Sequence, residues 1–296
     1  MIALIRTEFT KAARRTRTLV VAFILVGLPT LIVVAINARG NRRDGDSGEG
    51  LFRIAQQSGL LVPAAVLSAM SGFLLVVIAG TFAGDSVAGD ANWGSLRYLL
   101  MRPVPRGRLL VAKAIVAGTL IWAATILVAL AGLVAGLILF GAHAVTVPGF
   151  GAFSSGGAVV TVPNVGALSG SGLAAGFQLG RGVLLLRVAI ATAYVAFGFS
   201  ALLALGTLFS TLTDTAASAI GATIGVYIVS EILDGITQLG RVRYLFPTHY
   251  FNAWETMFTD NRYSHDMITG VISQLVYLAV FGTAAIVWFR RKDILS

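Results

Sequence analysis

Six stretches of this 296-residue chain are apolar over lengths that suit a bilayer rather than a globular core. They cover residues 19–36, 60–82, 111–140, 183–210, 216–234 and 267–289. A segment inside hydrocarbon finds no water for its amides and carbonyls, so each must satisfy its own backbone, and a helix does this within one segment. The predicted fold class is therefore all-α: a polytopic membrane protein with six transmembrane helices, in a single transmembrane domain over residues 1–296. With 12% charged residues, the chain lacks the charge that would cover a soluble globule of this size. It has no cysteine, which excludes disulfides, thiolate metal sites and cysteine nucleophiles.

The segments between the runs carry the charge, and its distribution sets the orientation. Residues 1–17 hold Arg6, Lys11, Arg14, Arg15 and Arg17 beside Ile2, Ile5 and Phe9, the pattern of an amphipathic helix lying in the membrane interface. The run that follows is too long for a signal-peptide core, so it reads as a retained first span, kinked near Pro29. One set of alternate loops, together with both ends of the chain, carries 13 basic and five acidic residues, a net +8. The other set carries nine basic and eight acidic residues, a net +1. The excess of Lys and Arg places both termini and residues 84–113 in the cytoplasm and the chain in the cytoplasmic membrane. In a membrane chain the overall +9 is accounted for in this way and needs no nucleic acid.

Residues 84–113 form the one long basic interruption without the composition of a flexible loop. Trp93, Leu96, Leu99 and Leu100 recur at helical spacing, and Pro103 and Pro105 then stop the helix. By contrast, residues 141–182 are rich in Gly, Ser, Ala and Val and read as a flexible external loop.

The order of parts in the interruption resembles the signature loop of type-2 ATP-binding-cassette (ABC) exporter permeases. It has acidic Asp85 and Asp90, the run W-G-S-L-R from Trp93 to Arg97, then L-L-M-R-P-V-P-R, and Lys113 at the start of a span. Ser95 stands where that family more often has threonine. The basic N-terminal elbow, the six spans, the aromatic segment after span five and the F-R-R-K-D tail fit the same layout. The resemblance implies that residues 84–110 are a cytoplasmic coupling loop with a coupling helix. Asp85, Asp90, Trp93, Leu96, Arg97, Arg102 and Arg106 would then engage a separate ABC ATPase, in two copies, that holds ATP and Mg. It also implies a second permease copy, or a homologous permease, completing the path. The residues alone leave open an interfacial helix resting on lipid headgroups.

No phosphate-cradling motif is present: Lys11, Lys113 and Lys292 follow Thr10, Ala112 and Arg291 rather than glycine. His143, His249 and His265 all fall between the spans, and no H-E-x-x-H occurs. The chain is expected to be no enzyme and to hold no cofactor, so ATP hydrolysis would fall to the partner. The function expected is a permease subunit forming the translocation path of an exporter for hydrophobic or amphiphilic substrate such as a lipid or drug. The competing classes are an ion-gradient-driven secondary transporter and a non-transporting membrane scaffold. Internal repeats and charges near the bilayer midplane, common in the first of these, are not evident.

Arg187 and Glu231 lie just inside the outer ends of spans four and five, at depths that would let them pair or snorkel separately to the headgroups. Gly132-x-x-x-Gly136 and Gly221-x-x-x-Gly225 read as sites of close helix packing within the chain. Between spans five and six, Phe246, Pro247, Tyr250, Phe251 and Trp254 belong to an aromatic cluster. They fit an interfacial belt or, by the resemblance, re-entrant helices capping an outer gate.

Overall fold

The computed structural model describes residues 1–40, 55, 58–92, 105–143, 145–147, 177–259 and 265–291. Helix α1 (Ile2–Ala13) is a short elbow, and α2 (Thr16–Gly40) follows it after a two-residue turn. Then come α3 (Val62–Ser71), α4 (Leu74–Asn92) and α5 (Arg106–Phe140). Two three-residue strands, β1 (Val145–Val147) and β2 (Phe177–Leu179), pair antiparallel. The chain continues through α6 (Arg181–Leu212) and α7 (Ala216–Gly235), two 3₁₀ segments (Thr237–Leu245 and Ala253–Glu255), the one-turn α8 (Thr256–Thr259) and α9 (His265–Arg291).

Among the described residues, five helices are long and apolar enough to cross a membrane, namely α2, α5, α6, α7 and α9. The pair α3 and α4, bent by 57° at residues 72–73, passes the same test together and makes six where it is one span. Gly72 sits in the break, where its poor helix propensity lowers the cost of interrupting the backbone ladder. α2 runs on through Pro29 as one helix. At 1.5 Å per residue α5 is roughly 52 Å long, well beyond a ~30 Å hydrocarbon core, so its ends stand in the interfaces.

α6 is the axis of the bundle: it touches α4, α5, α7 and α9 and has the largest buried share of the five single-helix spans. α2 lies against α5 on one flank. The two glycine motifs divide. A Cβ on Gly136 would stand 2.6 Å from the Gly59 carbonyl oxygen, so α5 and the chain leading into α3 touch backbone to backbone. Gly221 and Gly225 have nothing within 4 Å of that position. The α5 motif is therefore intrachain packing as expected, whereas the α7 motif faces out of the subunit.

α5 ends at Gly141, whose φ of 69° lies in the left-handed region that glycine tolerates and whose amide donates to the Leu137 carbonyl. The Gly141 carbonyl accepts from the Gly59 amide at 2.9 Å, and the Ser58 hydroxyl donates to the His143 carbonyl at 2.8 Å. These bonds fasten the entry to α3 onto the exit from α5. The loop expected over 141–182 opens with this joint and is narrowed by the strand pair; residues 148–176 lie outside the described residues.

Candidate functional site: an ion-paired hub and a pinned re-entrant segment

One end of the bundle holds α1, the end of α4, the start of α5 and the end of α9, since Gly107 lies against the Arg290 guanidinium. Here α4 does not stop where its apolar run stops. It continues to Asn92 because its polar last turns find partners. The amides of Val87 and Ala88 donate to Ser210 Oγ of α6 at 2.9 and 2.8 Å. Lys113, on α5 and 6% exposed, donates to Asp90 Oδ2 at 2.5 Å and to Glu8 Oε2 of the elbow at 2.9 Å. Lys11 reaches the other Asp90 oxygen at 2.7 Å. Arg15 and Arg17 both contact Asp85 Oδ2 at 2.5 Å.

A buried carboxylate is tolerated only when paired, and here each acid is met by cations from other segments. The elbow, α4 and α5 are thus joined into one ionic hub. The helix packing agrees, with α1 lying directly on α5. The chain leaves this hub at Asn92 and returns at Pro105.

At the opposite end, residues 237–259 turn back into the bundle between α7 and α9. Phe251 packs edge-to-face on Tyr227 of α7 and on Phe199 of α6, with ring centroids 6.3 and 5.1 Å away. Tyr227 lies eight residues, or roughly 12 Å, inside the end of α7. Backbone that leaves regular helix at this depth needs other hydrogen-bond partners, and side chains of the spans supply them. Tyr277 donates to the Leu245 carbonyl, Gln274 to that of Pro247 at 2.7 Å, Tyr194 to that of Tyr250 at 2.6 Å, and Arg187 to that of Met257.

Further contacts hold the side chains of the same segment. The hydroxyls of Ser230 and Thr248 meet at 2.8 Å, Ser68 donates to Glu255 at 2.6 Å, and His249 Nδ1 lies 2.5 Å from Asp234. Trp254 and Phe258 are fully buried. Close approach is made possible at Gly198, where a Cβ would stand 2.7 Å from the Phe251 ring. Beneath Pro247, Thr248 and Phe251, a small apolar cavity lies between α6, α7 and α9, walled by Phe199, Leu202 and Phe281.

A family model described as ABC-2 family transporter protein matches residues 2–294, which includes the elbow, every span, the hub and the re-entrant segment. The chain belongs to this family. No curated protein matches it. As a multi-pass ABC-2 membrane protein it is a transport component rather than a catalyst, and the family as a whole works with an ABC ATPase.

In this ABC-2 permease the residues expected to couple to a partner separate into three groups. Asp85 and Asp90 point inward, as helix residues of α4 engaged by the elbow and by Lys113, rather than outward from a loop. Arg106 is the first residue of α5. Trp93, Leu96, Arg97 and Arg102 lie outside the described residues.

The pair expected between Arg187 and Glu231 is not formed: Arg187 is buried against the Met257 carbonyl, while Glu231 lies on the exposed side of α7. The re-entrant carbonyl gives the buried guanidinium hydrogen bonding that does not come from Glu231. Of the expected gate residues, Phe251 and Trp254 are buried and Phe246, Pro247 and Tyr250 half-buried, all in the one pinned segment. Sequence reasoning missed Tyr194, Gln274 and Tyr277, each a polar side chain one or more turns inside an apolar span. That was the available signal, because a polar group in a membrane helix faces protein and finds a partner. Glu8 and Lys11 were legible only as charge on an amphipathic face.

Proposed function

We propose that this chain is the permease subunit of an ABC exporter, energised by a separate ATPase that docks on residues 84–113 together with the elbow. Both termini and the hub lie in the cytoplasm, and the re-entrant segment caps the path on the outer side of the cytoplasmic membrane. Two permease copies, identical or homologous, form the path between them, and two ATPase subunits carry the ATP and Mg. The cargo is hydrophobic or amphiphilic, a lipid or a drug.

The observation that carries the reading is the hub. Lys113 joins the elbow, through Glu8, and the end of α4, through Asp90, to the start of α5. A push on the chain between Asn92 and Pro105 is thereby delivered to three helices at once. At the far end, the segment over the path is bonded to α6 and α9, so displacement of those spans moves it.

The test is copurification with the ATPase followed by an assay in lipid. Trp93→Asp with Leu96→Asp is expected to abolish the complex and the stimulation of ATP hydrolysis, with membrane insertion unchanged. A complex that forms undiminished removes docking from this loop. ATP hydrolysis indifferent to the permease would sink the exporter reading as a whole.

A further inference from the structure

The hub is not balanced throughout. Among the described residues, Lys113, Lys11, Asp90 and Glu8 form a group of two cations and two anions. Arg15 and Arg17, however, converge on a single oxygen of Asp85, with Arg15 Nη2 also 4.0 Å from Asp90. Two guanidinium groups on one carboxylate leave a local excess of one positive charge.

A cleft opens at this place between α1, α2, α4 and α5. Its polar side holds four cations, Arg15 and Arg17 among them, against the carboxylates of Glu8 and Asp85, with Ser86 beside them; its apolar side includes Phe82, Val116 and Leu120. Arg17 Nε and Ser86 Oγ, both shielded from solvent, have no hydrogen-bond partner among the described residues. Shielded donors without partners are uncommon in folded proteins and ask for an explanation. Two of them beside an unbalanced positive charge suit an oxyanion.

The apolar wall says which oxyanion. Leu120 lies seven residues beyond Lys113 on α5, roughly 10 Å deeper along the helix axis. A ligand filling the cleft would place its anionic group at the interface and its apolar part along Val116 and Leu120. We propose that the cleft binds an anionic phospholipid of the leaflet on the side of the termini. Arg17 and Ser86 turn toward the cleft to hold its phosphate, and an acyl chain runs along α5. A soluble phosphate would leave the apolar wall uncovered. The site does not depend on the direction of transport or on the nature of the cargo.

The experiment uses the full-length purified protein in detergent, with added phosphatidylglycerol, phosphatidylcholine or inorganic phosphate, read by thermal unfolding and by retained lipid in native mass spectrometry. Phosphatidylglycerol is expected to raise the melting temperature and remain bound, and phosphatidylcholine to do so far less. Ser86→Ala breaks no ion pair, so its melting without lipid is expected to equal or exceed that of the parent. Its affinity for phosphatidylglycerol is expected to fall about tenfold, the scale of one hydrogen bond to a charged group.

Arg17→Lys keeps the charge and can still reach Asp85 but lacks Nε, and is expected to weaken binding similarly. Arg241→Gln, an exposed cation at the far end, is the control and is expected to bind as the parent does. Equal effects of the two lipids, or binding insensitive to Ser86→Ala and Arg17→Lys, overturn the proposal. Stabilisation by inorganic phosphate as large as that by phosphatidylglycerol overturns the lipid and leaves a small-anion site.

Discussion

Replacing Lys113 by methionine tests the hub most directly. Methionine keeps the length and apolar stem of lysine but removes the charge that sits 2.5 Å from Asp90 and 2.9 Å from Glu8. The three side chains are 5%, 5% and 13% exposed, so the carboxylates left behind cannot be rehydrated without pulling the elbow away from α5. Breaking a buried pair by deleting one partner costs about 3–5 kcal/mol. Lys11 still covers Asp90 here, which puts the expected loss near the lower end, about 3 kcal/mol. By the scaling for chains of 150–250 residues that is a fall of roughly 6–12 °C in melting temperature.

The assay is thermal unfolding of purified protein in detergent, followed by tryptophan fluorescence. The double variant Lys113→Met with Glu8→Gln decides the cause. It removes the stranded elbow charge, so it should melt above Lys113→Met, the coupling expected of residues in contact. A Lys113→Met protein that melts within 1 °C of the parent, by the ~2–4 °C per kcal/mol scale, would refute burial of the pair. A double variant no better than the single would refute the stranded-charge argument.

Three further outcomes are expected. Gly136→Ala must push α5 off the chain entering α3, with a loss of about 1–3 kcal/mol, whereas Gly221→Ala meets nothing and is expected to leave the melting of the isolated subunit level or raise it, by up to about 1 kcal/mol of helix propensity; melting curves of the two variants separate these results. Exchanging charges in the double variant Arg187→Glu with Glu231→Arg will not recover what Arg187→Glu loses, because Arg187 donates to the Met257 carbonyl and makes no ion pair with Glu231; recovery of folded yield would restore the ion pair. Tyr194→Phe removes the bond to the Tyr250 carbonyl, worth about 1 kcal/mol, and is expected to speed amide exchange around residues 245–251 roughly fivefold, measured by deuterium uptake against the parent.

The spans were legible because their cause is local. A run of apolar residues needs no knowledge of its neighbours to be driven into lipid, and the fourth, expected over 183–210, differs from α6 by only two residues at each end. The hub was not legible for the opposite reason. Asp85, Ser86 and Asp90 lower the hydropathy of the end of α4 until it resembles a loop, and the partners of the two aspartates, Lys11, Arg15 and Arg17, stand some 70 to 80 residues earlier. Nothing within the window distinguishes a buried, paired aspartate from a solvated one. The two glycine motifs teach the same lesson, since identical spacing gives backbone contact at Gly136 and an open face at Gly221. The 57° break in the second span was likewise hidden, because a Ser-Gly step inside an apolar run is compatible with a continuous helix.

The pinned re-entrant segment has an evolutionary consequence. The groups that tether it, Arg187, Tyr194, Gln274 and Tyr277, belong to α6 and α9, and what they grip are the carbonyls of Met257, Tyr250, Pro247 and Leu245. Every amino acid carries a carbonyl, so mutation within the segment leaves these four backbone tethers intact, whatever it does to the side-chain contacts of Thr248, His249 and Glu255. Its half-buried side chains can therefore be exchanged one at a time without releasing the segment, and a lineage can explore new linings over the cavity while the architecture that positions them stays fixed.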